Sequence, residues 1–412
     1  MKKLFLPALA LVVGSSIVFA AAGGFVWQPL PNVPAQRDPY VDDLYVAGKY
    51  GVALVHHRYL WLSEDHGLTW TREIDLRDSA GLNLPSSKIP TAVALRGPRI
   101  YVGGRGFLAS SPDGNTWTYF DSNFPNAATW YITAIAAPKV ASSNAYAVGW
   151  FRRPTDGASV RRPLVVRTTD NGQTWERWGT PPVEPGAGDE TSLLAVAVAR
   201  DGVVVVTGTN AVVAQRRESG GPWQDLNPPA GWGSLSGSDR IVYALAVGGG
   251  TANHIIWAGR RDGKVMIKRG NNPWTVRTVA PGLYIRDIAF RTSNEGVAYG
   301  FVDMLSHFKI YHTSDGGQTW YEEILPTEVK ATGFNVEATA ASEAQFIADV
   351  VVPRGPTHTT RAWLALRKFY FRIPDKFREP LMRRPIPIPG PGPVERIPGR
   401  LGQPQMRAPQ VR

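Results

Sequence analysis

The hydrophobic positions of this chain fall in short runs separated by turn residues. Tyr101-Val102-Gly103-Gly104, Tyr146-Ala147-Val148-Gly149 and Ala298-Tyr299-Gly300 are typical, since each is aromatic or β-branched and ends at glycine. Runs of this length and composition, bounded by Gly, Pro, Asn or Asp, predict strands rather than helices. The 42 Gly and 34 Pro suit a chain that turns every few residues. The pattern therefore predicts an all-β protein.

One turn motif recurs between these runs. It has the form S/T-x-D-x-G-x-T-W at residues 63–70, 168–175 and 313–320, and a form one residue shorter at 111–117. The Asp can accept N–H bonds within the turn, and the Gly supplies a positive φ without steric cost. We call these four stretches the Asp turns and expect them to be structural rather than catalytic. Their key residues are Asp65, Trp70, Asp113, Trp117, Asp170, Trp175, Asp315 and Trp320.

The tryptophan that ends each Asp turn is part of a longer repeat. It recurs at positions 70, 117, 175, 223, 274 and 320, although the copies at Trp223 and Trp274 lack the Asp. A period of about fifty residues with four strands per unit is the signature of a β-propeller. Blades are predicted at 41–75, 89–121, 130–181, 191–228, 239–281 and 283–326, and 334–371 is expected to supply the inner strands of a seventh.

The stretch Phe25 to Leu30 resembles the outer strand that begins at Trp223. We expect it to be the outermost strand of the last blade, donated from the N-terminus, because that closure would remove two exposed strand edges. Trp27 and the six later tryptophans give one per blade. The prediction is a seven-bladed β-propeller with four-stranded antiparallel blades over residues 25–374.

The two ends of the sequence have a different composition. Met1-Lys2-Lys3, the apolar run Leu4 to Val13 and the small residues around Ala20 predict a secretory signal over 1–22. An uncleaved anchor is the alternative, because the apolar character continues to Ala22. The expected location is periplasmic or lumenal, with secretion or anchoring as alternatives. Zero cysteines exclude disulfides and thiolate metal sites.

The last segment, 375–412, contains nine prolines and eight Lys or Arg against three acids. Such a composition predicts a disordered, basic tail. It is either a solvated chain end or an arm that contacts an anionic membrane surface.

Topology makes one face of the predicted ring basic. Because strands alternate in direction, the turns after the second strand of each blade share one face, opposite the Asp turns. Arginines recur in these turns and make an electropositive face able to contact carboxylates or phosphates. Solvation of loops by arginine is the alternative. The candidate partner-binding residues are Arg58, Arg105, Arg152, Arg153, Arg161, Arg162, Arg260, Arg261 and Arg354.

No other chemistry is predicted. His56 and His57 are adjacent on a strand end and point in opposite directions, so they do not predict a metal site. The sequence has no phosphate loop, nucleophile elbow or basic-aromatic nucleic-acid platform. We expect no cofactor, no metal and no nucleic-acid partner, and a monomeric chain.

The Asp turns resemble those of the Asp-box (BNR) propellers, and the whole arrangement looks most like the photosystem II assembly and stability factors among them. That resemblance implies a non-catalytic exported propeller whose arginine patch contacts an acidic segment of a membrane-protein complex. The alternative is a sialidase-like glycoside hydrolase, since Phe371-Arg372-Ile373-Pro374 matches the F-R-I-P motif of sialidases. In sialidases this motif precedes the first Asp box, whereas here it follows the last blade. The sequence also shows no clear pair of catalytic acids in register with it.

Overall fold

The computed structural model describes most of the predicted propeller. The described residues are 25–29, 41–78, 82–122, 124, 129–138, 142–183, 190–226, 240–249, 253–302, 308–323, 336–338, 346–354 and 358–368. The predicted signal, the F-R-I-P motif and the basic tail lie outside them. Among the described residues, no helix is long and apolar enough to cross a membrane.

Six sheets of the described chain are alike, since each is formed by four consecutive antiparallel strands. The first three blades begin at residues that the hydrophobic runs predict. Their strands are β2 Val41–Ala47, β3 Tyr50–Val55, β4 Tyr59–Ser63 and β5 Arg72–Asp75; β6 Pro90–Arg96, β7 Arg99–Gly104, β8 Phe107–Ser111 and β9 Thr118–Phe120; and β10 Thr129–Ala136, β11 Ala145–Arg152, β12 Arg162–Thr168 and β13 Glu176–Arg177.

The next three blades continue the same order from inner to outer strand. Their strands are β14 Leu193–Val198, β15 Val203–Gly208, β16 Val213–Arg217 and β17 Gly220–Asp225; β18 Val242–Gly249, β19 His254–Arg260, β20 Lys264–Arg269 and β21 Thr275–Thr278; and β22 Tyr284–Phe290, β23 Gly296–Phe301, β24 Phe308–Thr313 and β25 Tyr321–Glu322. These are the first to sixth blades below.

The prediction of a seven-bladed propeller was wrong, because the repeat builds six blades in the described chain. A further sheet has a different construction, with the order β1-β28-β27-β26. Its β1 (Phe25–Pro29) is paired antiparallel with β28 (His358–Lys368), and β27 (Phe346–Arg354) and β26 (Val336–Ala338) complete it. Trp27 lies in β1, which precedes the first blade and follows no Asp turn. Trp27 is therefore not a seventh copy of the repeat tryptophan, and it should not have been counted as one.

The hydrophobic core consists of layers between neighbouring blades. Val52 and Leu60 of the first blade pack with Val102 and Phe107 of the second, and all four side chains are buried. Similar layers join the third blade to the fourth, the fourth to the fifth and the fifth to the sixth. Full burial of a side chain of this size contributes roughly 1.5–3 kcal/mol to the free energy of unfolding. Because these side chains are buried between blades, each blade is stabilised mainly by its neighbours.

A β-bulge recurs near the start of the inner strand in all six blades. In each, one extra residue interrupts the pairing with the second strand. A bulge turns the extra side chain away from the regular alternation, and all six extra residues line a central channel of about 480 Å³. They are Asp42, Thr91, Thr133, Leu194, Tyr243 and Arg286.

Candidate functional site: the arginine face and the channel mouth

In each of the four Asp turns, the aspartate side chain accepts hydrogen bonds from residues of its own turn. In the third blade, Asp170 accepts hydrogen bonds from the hydroxyl of Thr168 (2.7 Å) and from the N–H of Thr174 (2.9 Å). Gly172 has φ of 85° and donates its N–H to the Thr168 hydroxyl. Burial of Asp170 acts to raise its pKa, but the hydrogen bonds from Thr174 and Thr168 prevail and lower it. The carboxylate is thus fully used in holding its turn.

The Asp turns also join neighbouring blades, and arginines make these contacts. Arg72 of the first blade donates to the carbonyl oxygen of Asp113 (2.7 Å) in the second. Arg99 of the second blade donates to the carbonyl oxygen of Asn171 (3.1 Å) in the third, and Arg269 of the fifth donates to that of Gly316 (3.2 Å) in the sixth. These three arginines therefore help to hold neighbouring blades together.

We call the opposite face, where the turns after the second strands lie, the arginine face. Three of its predicted binding residues are paired with carboxylates of their own blades. Arg58 donates to Asp75 (2.5 Å), Arg162 to Asp156 (2.9 Å) and Arg260 to Asp262 (2.5 Å). Arg162 holds the pKa of Asp156 at about 2, with help from the N–H of Arg153. These arginines are already neutralised, so they are poor candidates for contacts with a partner.

Four other predicted residues keep their guanidinium groups unpaired with carboxylates in the described part of the chain. Arg105 and Arg153 are exposed. Arg161 lies over the ring of Trp150, 5.2 Å from its centroid, and Arg261 lies over the ring of Tyr284 at 5.1 Å. Arginine stacked on an aromatic ring is held in place while its N–H groups stay available.

The two remaining candidates differ from these. Arg152 donates to the carbonyl oxygen of Ala158 (3.3 Å) and to the hydroxyl of Thr129 (3.4 Å), so it holds the loop after β11. Arg354 is the last residue of β27 and is paired with His358, the first residue of β28.

The mouth of the channel contains residues that the sequence analysis missed. Arg286 is an exposed bulge residue, and its guanidinium lies 5.1 Å from the ring centroid of Tyr243, the bulge residue of the fifth blade. Tyr243 is in turn packed edge-on against Tyr284, with centroids 5.0 Å apart. The sequence contains one signal for these residues, because Val242-Tyr243-Ala244 and Ile285-Arg286-Asp287 occupy matching places in the inner strands of two blades. Only the bulge reveals that their middle residues face the channel.

Three carboxylates also line the channel, and each has donors of its own. Asp42 lies 2.8 Å from Nδ1 of His57, and Asp287 accepts the N–H of Ile288 (2.8 Å). Asp43 accepts the N–H groups of Leu44 (2.9 Å) and Val93 (2.8 Å). Burial raises the pKa of Asp43 to about 8, and the like charges of Asp287 and Asp42 act in the same direction against these hydrogen bonds.

No family model matches the chain, and no curated protein matches it. Solved structures do match it. One described as YCF48 bound to D1 peptide is 15% identical, with a TM-score of 0.56, over 87% of this chain and 99% of that chain. The chain is a β-propeller. YCF48 from Cyanidioschyzon merolae is 16% identical, with a TM-score of 0.56, over 83% and 98% of the two chains. The structure of U3-55K is 10% identical, with a TM-score of 0.57, over 83% and 98%. At these identities the likeness shows the propeller fold alone.

The propeller contains two Tyr–Glu pairs of the kind that a sialidase-like mechanism would use. The hydroxyl of Tyr146 donates to Glu218 (2.9 Å), and that of Tyr311 donates to Glu322 (3.2 Å). Both rings are buried, and burial is the first cause that raises the pKa of each hydroxyl, to about 12 for Tyr311. A buried phenol with a raised pKa is a poor nucleophile.

The described residues contain no group of three or more His, Asp or Glu able to hold a metal ion.

Proposed function

We propose that this chain is a non-catalytic, exported propeller that binds an acidic protein segment through its arginine face, as an assembly, stability or accessory factor of a membrane-protein complex. The observation that carries the proposal is the set of four arginines, Arg105, Arg153, Arg161 and Arg261, whose charges no described carboxylate neutralises. They occupy equivalent turns of the second, third and fifth blades on one face of a rigid ring. Donors held in this way lose little freedom when they bind a carboxylate.

The similarity to a propeller described as YCF48 bound to D1 peptide supports a protein segment as the partner. Paired arginines are excluded from the proposed contact surface. Arg58, Arg162 and Arg260 would have to give up their ion pairs before they could contact a partner, and breaking a partly buried pair costs more than a surface contact returns.

The test compares two charge reversals that change the net charge equally. Arg161→Glu/Arg261→Glu alters the arginine face, whereas Arg200→Glu/Arg217→Glu alters exposed residues at turns on the face of the Asp turns. We expect crosslinked capture of a membrane-protein subunit from the native membrane fraction to be lost in the first variant and retained in the second. Capture should also weaken with salt, because exposed charges are screened over about 8–10 Å at physiological ionic strength.

The basic tail is tested separately with a chain that ends at Pro374. Under the proposal this shortened chain still captures the subunit. If shortening abolishes capture while the arginine-face reversal leaves it intact, the tail is the binding element and the proposal is wrong.

The alternative, a glycoside hydrolase, is tested with chromogenic sialosides and common glycosides. We expect no turnover, since the tyrosine rings of both Tyr–Glu pairs are buried. Turnover that is abolished by Asp42→Asn or Asp287→Asn, in the channel mouth, would establish an enzyme instead.

A further inference from the structure

Two arginines and two tyrosines form a compact cluster where the fifth and sixth blades meet at the channel mouth. The guanidinium of Arg261 lies over the ring of Tyr284, and that of Arg286 over the ring of Tyr243, each 5.1 Å from the centroid. The rings of Tyr243 and Tyr284 pack edge-on, with centroids 5.0 Å apart. We call these four residues the Tyr–Arg clamp.

The charges of Arg261 and Arg286 both affect the pKa of the Tyr284 hydroxyl. Burial and the hydrogen bond to Tyr243 raise the pKa of Tyr284, while the charges of Arg286 and Arg261 oppose that shift. Both cations are therefore close enough to Tyr284 to interact with it. Within the described chain, neither has a carboxylate within 4.0 Å, in contrast to Arg58, Arg162 and Arg260.

The carboxylates of the same mouth do not supply the missing anion. Each of them accepts a backbone N–H group, Asp42 from His57, Asp43 from Val93 and Asp287 from Ile288. Tyr243 and Arg286 of the clamp line a channel of about 480 Å³, which admits a side chain or a small anion. Behind them, Tyr284 packs against Tyr243 and Arg261 lies over the ring of Tyr284.

We propose that the Tyr–Arg clamp is an oxyanion site that binds one carboxylate or phosphate group at the channel mouth. Each guanidinium is stacked on a ring, so its N–H groups are held ready for a planar or tetrahedral anion. The hydroxyl of Tyr243 adds a further donor. The site does not require the proposed function, because a free anion would bind in the same way. If the proposed function holds, the clamp binds an acidic side chain of the partner.

The matched control is Arg58, which also lies over a tyrosine ring (Tyr59, 5.0 Å) but is neutralised by Asp75. Binding of two probes to the full chain is measured by calorimetry and fluorescence anisotropy. The probes are inorganic phosphate and a fluorescein-labelled peptide of alternating Glu and Gly, with the Gln peptide as its neutral counterpart. We expect Arg261→Gln/Arg286→Gln to weaken binding of at least one probe tenfold or more, and Arg58→Gln to leave it within about twofold.

Each outcome either supports or overturns the proposed oxyanion site. Binding of phosphate but not of the Glu peptide supports the oxyanion site and counts against an acidic partner segment there. Equal binding by the parent and the double variant, or an equal loss in Arg58→Gln, overturns the site. If the double variant melts early, Arg286→Gln alone decides, since Arg286 is an exposed residue whose loss removes no described hydrogen bond.

Discussion

The carboxylate of Asp43 in the first blade accepts the backbone N–H of Val93 in the second, across 2.8 Å. Asp43 also accepts the N–H of Leu44 on its own strand, so one side chain fastens two inner strands at the channel wall. Burial, with a smaller contribution from the like charges of Asp287 and Asp42, raises its pKa from the ordinary value of 3.8 to about 8.

This pKa predicts that Asp43 makes the protein less stable as pH rises. Between about pH 4 and pH 8 the folded protein holds a proton that the unfolded chain has released, so the free energy of unfolding falls across that window. Asp43→Asn cannot titrate. We expect the melting temperature of the parent to fall relative to that of Asp43→Asn as pH is raised from 4 to 8. A constant difference would show that Asp43 titrates normally.

The aspartates of the Asp turns predict the opposite dependence of stability on pH. Asp170→Ala removes the acceptor of three hydrogen bonds, from the hydroxyl of Thr168 and from the N–H and hydroxyl of Thr174. We expect a loss of about 2–3 kcal/mol in the free energy of unfolding, measured by urea denaturation at pH 7. Because the folded-state pKa of Asp170 is lowered, this contribution is present above about pH 4 and is lost as pH falls further. The exposed Asp121→Ala is the control and should change stability by less than about 0.5 kcal/mol.

Asn171 separates backbone strain from side-chain contacts in the same turn. It has φ of 65°, its carbonyl oxygen accepts from Arg99, and its side-chain oxygen accepts from Arg96. Asn171→Gly loses only the side-chain contact, whereas Asn171→Ala also adds strain of roughly 1 kcal/mol at positive φ. The alanine variant should therefore unfold at a lower urea concentration than the glycine variant. The reverse order would mean that the turn relaxes to another conformation.

The pairing of β1 with β28 predicts that the N-terminal strand is needed for stability. A chain that begins at residue 32 loses the partner of Leu364 to Lys368, while a chain that begins at Phe25 keeps it. Removing β1 exposes the edge of β28, so we expect a markedly lower melting temperature and a tendency to aggregate. Equal melting temperatures for the two chains would show that β1 contributes nothing to the sheet.

The sequence alone determined the strands, the repeat and the chemistry of the Asp turns. These features depend on residues close together in the chain, such as Thr168, Asp170, Gly172 and Thr174, so local hydrogen bonds and backbone conformation suffice to define them. The sequence also placed the arginines at equivalent turns, because strand alternation follows from the strand count. It could not give the number of blades, since Trp27 looks like a copy of the repeat tryptophan although no Asp turn precedes β1.

Only the tertiary structure decided which arginines are available. Arg260 and Arg261 are adjacent in sequence, yet one is paired with Asp262 and the other is stacked on Tyr284 of the next blade. Tyr243 and Arg286 face the channel because a bulge shifts their strands, and their cluster joins residues from two blades. Pairing and stacking between distant residues depend on how the blades pack, and no local pattern in the chain encodes that packing.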